Sequence, residues 1–158
     1  MGFVHVIQSF LPRLKEQGEG GHIVTTASVV GMFCTAGTAP YNAAKFGNVA
    51  VAETLAAELA GTSIGVSILC IGNVQTRIPD SARNRSERYG VATETSPAAY
   101  EQLAAFVRMG QPPDEVAEKA VRGIMESELF VFTHPEFRSF VEDRFQRILA
   151  VYPSPQAA

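Results

Sequence analysis

An α/β fold, with a mainly parallel sheet covered by helices on both faces, is the class this sequence predicts. Two observations carry that expectation. Apolar residues at helical spacing alternate along the 158-residue chain with short β-branched or continuously apolar runs. The composition, 46% hydrophobic and 18% charged, is that of about one globular domain able to bury a core.

Phe3, Val6, Ile7, Phe10, Leu11 and Leu14 recur at helical spacing, so residues 3 to 17 read as an amphipathic helix, with a kink expected at Pro12. The β-branched run after Gly21 suggests a buried strand at 22 to 27, followed by a small-residue loop over 28 to 39. Pro40 suits a helix first turn, and an Ala-rich stretch without a breaker extends from Tyr41 to Ala60, where Gly61 closes it. Ile64 to Cys70 is continuously apolar, as expected of a strand covered on both faces. Regularity weakens over 72 to 111, a long excursion of the kind that serves as a substrate lid. A helix at 114 to 126, a short strand at 129 to 133 and a last amphipathic helix from Phe137 complete the domain of residues 1 to 152, and a flexible tail is expected at 153 to 158.

Thirteen Lys and Arg against sixteen Asp and Glu leave a net charge of -3, with no basic surplus for a nucleic-acid backbone. No apolar run approaches a membrane span. Cys34 and Cys70 form neither a disulfide framework nor a zinc motif and read as small apolar fillers. Free thiols, with no secretory pattern in the first residues, point to the cytoplasm. His5, His22 and His134 lack metal-ligand spacing and read as structural or surface residues, so no metal is expected. Arg77, Arg83, Arg85 and Arg88 are either solvated lid charges or a lure for an anionic substrate. Phe106 and Met109 either pack a lid helix or line a pocket.

In open parallel sheets, ligands bind beyond the carboxyl ends of the strands, which directs attention to the residues after positions 27 and 70. Ser28 follows the first strand. Tyr41 opens the next helix and Lys45 lies four residues on, so the two share a helix face. A phenol ordinarily ionises near pKa ~10, and a close cation favours the phenolate. Tyr41 is therefore the expected proton-transferring group, with Lys45 tuning it. The Ser28 hydroxyl would hold the substrate oxygen on which charge develops. Alone, Ser28 reads more readily as a strand-end cap, and it is the thirteen-residue spacing to Tyr41 that favours the catalytic role.

The pattern S-x12-Y-x3-K, formed by Ser28, Tyr41 and Lys45, resembles the signature of the short-chain dehydrogenase/reductase family. The runs GGHIVTTAS, APYNAAKFGNVAVAETLAAELA and GVSILCIGNVQTRI resemble that family's fifth strand, catalytic helix, and sixth strand with its cofactor loop, and ELFVFTHPE resembles its last strand. The resemblance implies a partial Rossmann-like three-layer fold and hydride transfer between NAD or NADP and an alcohol or carbonyl substrate. It makes Ser28, Tyr41 and Lys45 catalytic and Tyr41 and Lys45 cofactor-binding, Lys45 through the nicotinamide ribose. The segment Gly72, Asn73, Val74 and Thr76 would hold the carboxamide. The family's Pro-Gly after the sixth strand is Ile71-Gly72 here, which removes a φ restriction from that turn.

The family's glycine-rich phosphate loop has no counterpart in this sequence. Gly18-Glu19-Gly20-Gly21 follows a helix and precedes a strand, whereas a pyrophosphate needs a strand-to-helix turn. The resemblance thus implies the carboxyl-terminal catalytic portion of a dehydrogenase, with the N-terminal βαβ half absent, from a truncated gene model or a natural fragment. Homo-oligomerisation is expected through the helices at 3–17 and 41–60, where Ala43, Ala44, Gly47 and Ala50 permit close approach. Two rival readings are a non-catalytic fragment pairing with a full-length homologue and a relative of the nucleotide-sugar epimerases or dehydratases.

Overall fold

A computed structural model of the chain describes residues 2–86, 88, 90 and 96–153. The elements in order are α1 (Gly2–Gln17), β1 (Gly21–Thr26), a 3-10 turn (Val29–Gly31), α2 (Ala39–Glu58), β2 (Ile64–Cys70), a 3-10 segment (Ile78–Asn84), α3 (Pro97–Arg108), α4 (Pro113–Met125), β3 (Phe130–Phe132), a second 3-10 turn (Pro135–Phe137) and α5 (Arg138–Val151). The expected tail at 153–158 and lid over 72–111 include residues 154–158 and 87, 89 and 91–95, which lie outside the described residues.

The three strands form one parallel sheet in the order β1-β2-β3. Its register pairs Ile23 with Val66, Thr25 with Ile68 and Leu69 with Val131, and paired residues share a face. Ile23, Val66, Ile68 and Cys70 turn towards α1 and α2 and join Val49, Ala52, Leu55 and Leu59 in the main core. Leu69 and Val131 turn to the other face. There α4 approaches closely at Gly123, where a Cβ would collide with the Val131 side chain. Helices on both faces of a parallel sheet, as predicted, follow from these two packings. β1 is an edge strand whose Val24 remains 36% exposed.

Helix α1 continues through Pro12 as one element, and α2 starts at Ala39, two residues before the Ala-rich stretch expected from Tyr41, because Pro40 occupies the first turn. The largest departure from the sequence reading is α3. Ser96 caps it by accepting the Ala99 N–H at 3.2 Å, and Pro97 occupies its first turn. Only Ala104 and Val107 of α3 are buried. Phe106 is 51% and Met109 77% exposed, so neither packs the lid helix into the domain. Cys34 is likewise exposed and is no core filler, whereas Cys70 is buried. Among the described residues no helix is long and apolar enough to cross a membrane.

Candidate active site

The carboxyl ends of β1 and β2 and the first turns of α2 converge on one rim. Ser28 leaves β1 in extended backbone, with φ -166° and ψ 163°. Its hydroxyl oxygen accepts the Val30 N–H at 3.3 Å, capping the first 3-10 turn, and the hydroxyl donates to the Ile71 carbonyl at 3.3 Å. The Val29 N–H reaches the same carbonyl at 3.0 Å. Ser28 is thus a strand-end cap and also stands beside the loop that leaves β2.

The turn after Ser28 sits directly on α2. A Cβ at Gly31 would lie 3.0 Å from Val49 Cγ2 and 3.1 Å from the Lys45 carbonyl oxygen, so glycine permits the approach. Lys45 reaches back from α2, its Nζ donating to the Thr26 carbonyl at 2.9 Å. The same ammonium lies 5.6 Å from the centre of the Tyr41 ring, within the range of cation–π attraction. Tyr41 is 47% exposed.

Beneath Tyr41, the side chain of Asn42 is buried and donates at 2.9 Å to the Thr35 carbonyl, fastening the loop before α2 to its first turn. The structure therefore joins Lys45 to Tyr41 and to the end of β1, and Ser28 to the end of β2.

The segment Gly72–Thr76 is held by partners far away in sequence. Asn73 O accepts the Gln111 N–H at 2.9 Å and His134 Nε2–H at 2.7 Å, while the Gln75 N–H donates to Gln111 O at 2.9 Å. Val74 and Gln111 form an isolated parallel bridge. The Gly72 N–H donates to His134 Nδ1 at 3.0 Å. These bonds restrain the turn that lacks the proline of the resembled family. Thr76 is exposed, and no hydrogen bond among the described residues engages its hydroxyl. Sequence spacing gave no signal for His134, Gln111 or Asn42 here, because each acts through a contact that folding alone creates.

Just below the rim, burial and the nearby Glu53 charge push the Cys70 thiol up to about 12. In the excursion beyond it, the Tyr100 hydroxyl donates to Asp80 Oδ1 at 2.8 Å, tying α3 to the Ile78–Asn84 segment, and this bond holds the phenol above its ordinary range. Arg77 pairs with Asp80 at 3.6 Å and Arg83 donates to the Arg77 carbonyl, so these two side chains brace the excursion itself. The Gly18–Gly21 turn joins α1 to β1 and aims no helix N-terminus at a phosphate.

The family model described as short chain dehydrogenase matches residues 1–87, more than half of the chain. The chain belongs to the short-chain dehydrogenase family. It is 32% identical over 152 residues to a C alpha-dehydrogenase of Sphingobium sp., covering 94% of this chain and 49% of that protein. It is 29% identical over 157 residues to a CLA biosynthesis dehydrogenase/reductase of Lactiplantibacillus plantarum, covering 94% of this chain and 55% of the relative. Among solved structures, a short chain dehydrogenase/reductase from Burkholderia phymatum in complex with NAD superposes with a TM-score of 0.85 at 34% identity. That match covers 99% of this chain and 58% of the other. The three parallel strands and their helices are thus part of the family's Rossmann-like fold. This short-chain dehydrogenase chain spans about half the length of the curated relatives it matches.

Proposed function

We propose that the rim is the catalytic edge of an NAD(P)-dependent oxidoreductase acting on an alcohol or carbonyl carbon. One observation carries the reading. A lysine ammonium stands beside an exposed tyrosine ring at the carboxyl end of a parallel strand, and no hydrogen bond among the described residues engages the tyrosine hydroxyl. The residues present fit a nicotinamide nucleotide. Of the three N–H donors on Lys45 Nζ, one reaches Thr26 and two remain for ribose hydroxyls. The Thr76 hydroxyl and the backbone of Gly72, Asn73 and Val74 line the other side. The NAD complex of the Burkholderia phymatum relative supports the same class of cofactor.

When bound, the nicotinamide supplies or accepts the hydride. In the reducing direction Tyr41 donates its phenolic proton to the substrate oxygen as that oxygen becomes an alkoxide. The Lys45 charge offsets the negative charge left on the phenolate. The Ser28 hydroxyl exchanges its long bond to Ile71 for one to the substrate oxygen and fixes that oxygen next to Tyr41. In the oxidising direction the Tyr41 phenolate takes the alcohol proton. The excursion over 72–111 serves as the substrate lid. Two unpaired thiols support a cytoplasmic setting.

Titration with NADH and NADPH, followed by nicotinamide fluorescence and by turnover on a ketone panel, tests the proposal. Tyr41→Phe is expected to bind cofactor as the parent does and to lose turnover roughly 100- to 10,000-fold. Retained turnover would refute the assignment. The rival reading, a chain that binds no NAD(P)H and pairs with a complete homologue, is selected by the absence of any fluorescence change. Turnover of nucleotide-sugars in place of simple ketones would select the epimerase or dehydratase relatives.

A further inference from the structure

We propose that His134, outside the Ser28–Tyr41–Lys45 set, is a positioning residue that sets the nicotinamide-facing segment Gly72–Thr76 against the catalytic serine. This rests on the oxidoreductase reading above. The imidazole is only 2% exposed, and each of its nitrogens meets a backbone group of that segment. Asn73 O can only accept, so the ring nitrogen 2.7 Å from it, Nε2, carries the proton. The Gly72 N–H can only donate, so Nδ1, 3.0 Å away, is bare. One rigid ring therefore clamps the N–H of one residue and the carbonyl of the next.

The ring is itself held. The Thr133 hydroxyl lies 2.6 Å from Nδ1, and the Thr133 carbonyl accepts from Gln111 Nε2 at 3.1 Å and Lys119 Nζ at 2.9 Å. Gly72 leaves the space the clamp needs: a Cβ there would lie 2.6 Å from His134 Cγ and 2.7 Å from Phe137 Cε2. Phe137 in turn stacks at 6.1 Å on Phe33, which follows the Ser28 turn. Residues 133–137 thus touch both the cofactor segment and the serine turn. A side chain needed only to fill the core would not bond two backbone groups of one loop with both of its ring nitrogens.

The test compares the whole chain with His134→Phe, which keeps the ring and loses both bonds, and His134→Asn, which retains an acceptor near the Gly72 N–H. Hydrogen exchange at the Gly72 amide is expected to quicken at least tenfold in His134→Phe and less in His134→Asn, while Ile68 and Leu69 amides of β2 change less than twofold. The Kd for NADH is expected to rise at least fivefold in His134→Phe. Unchanged Gly72 exchange, or faster exchange with an unchanged Kd, overturns the proposal. Should His134→Phe fail to fold, 15N shifts of the wild-type imidazole decide, since a proton on Nδ1 contradicts the clamp. A wild-type chain that binds no NADH brings down the oxidoreductase reading itself, whereas equal binding by wild type and variant brings down this inference alone.

Discussion

Lys45 Nζ and Thr26 O are joined by a 2.9 Å hydrogen bond, through which α2 closes the carboxyl end of β1. The bond spans nineteen positions of sequence and determines where the ammonium stands relative to Tyr41. Lys45→Met removes both the bond and the charge. Because the bond is exposed, its loss should cost about 1 kcal/mol, a fall in Tm of roughly 2–4 °C. Turnover should fall at least as far as in Tyr41→Phe, and the Kd for NADH should rise. A variant that melts lower but keeps its turnover would leave Lys45 a purely structural tie.

Gly110 offers a sharper test of the cofactor segment. A Cβ there would lie 2.7 Å from Asn73 C and O and 2.8 Å from Val74 N, all backbone atoms that no rotamer change can move aside. Gly110→Ala should therefore cost about 1–3 kcal/mol and displace the segment from Gln111. Gly47, exposed in the middle of α2 with open space around its Cβ position in the single chain, is the matched control at concentrations that keep the chain monomeric. Gly47→Ala should stabilise by about 1 kcal/mol through helix propensity alone. Thermal melts of the two variants, read beside NADH titration, check both signs.

What could be read from the sequence divides along physical lines. The helix period of α1, the unbroken Ala-rich run of α2 and the apolar run of β2 are local signals, and the Ser28, Tyr41 and Lys45 spacing is local once strand and helix are placed. These elements formed within a few residues of where they were expected. Helix α3 was read only as a short apolar stretch at Leu103 to Val107, because the Ser96 cap and Pro97 that begin it stand well before that stretch. His134 read as an ordinary structural histidine, since its partners lie about sixty positions upstream, beyond any spacing rule. Phe106 and Met109 carried an apolar signal that the structure leaves facing solvent.

The small residues along α2 lead to a prediction about association. Ala43, Ala44, Gly47 and Ala50 are exposed, and Ala50 borders an apolar groove between the helices that Val4, Ile7, Val51 and Leu55 also line. The expected homo-oligomer through α1 and α2 can be tested at this groove. Ala50→Arg keeps a strong helix former at an exposed site, so the Tm should move little, but the side chain would occupy the groove. Sedimentation at graded concentrations should show the parent shifting to a dimer and the variant remaining a monomer. A parent that stays monomeric at every concentration contradicts the pairing.

Cys70 and Cys34 should behave oppositely towards thiol reagents and pH. Cys70 is fully buried and its thiol is pushed up to about 12, while Cys34 is exposed. Reaction needs the thiolate, so a disulfide reagent at pH 8 should label Cys34 and reach Cys70 only on unfolding. The elevated Cys70 value also has a thermodynamic consequence. Below pH 9, the ordinary value, both folded and unfolded chains keep the Cys70 proton and its contribution is complete. Between about 9 and about 12 the unfolded chain releases that proton and the folded one retains it, so stability falls as pH rises through this window. The slope from this group is at most about 1.4 kcal/mol per pH unit. Denaturant melts of Cys70→Ala against the parent from pH 8 to 11 isolate it: the parent's stability should fall more steeply. Parallel curves would mean that Cys70 ionises as readily in the folded chain as in the unfolded one.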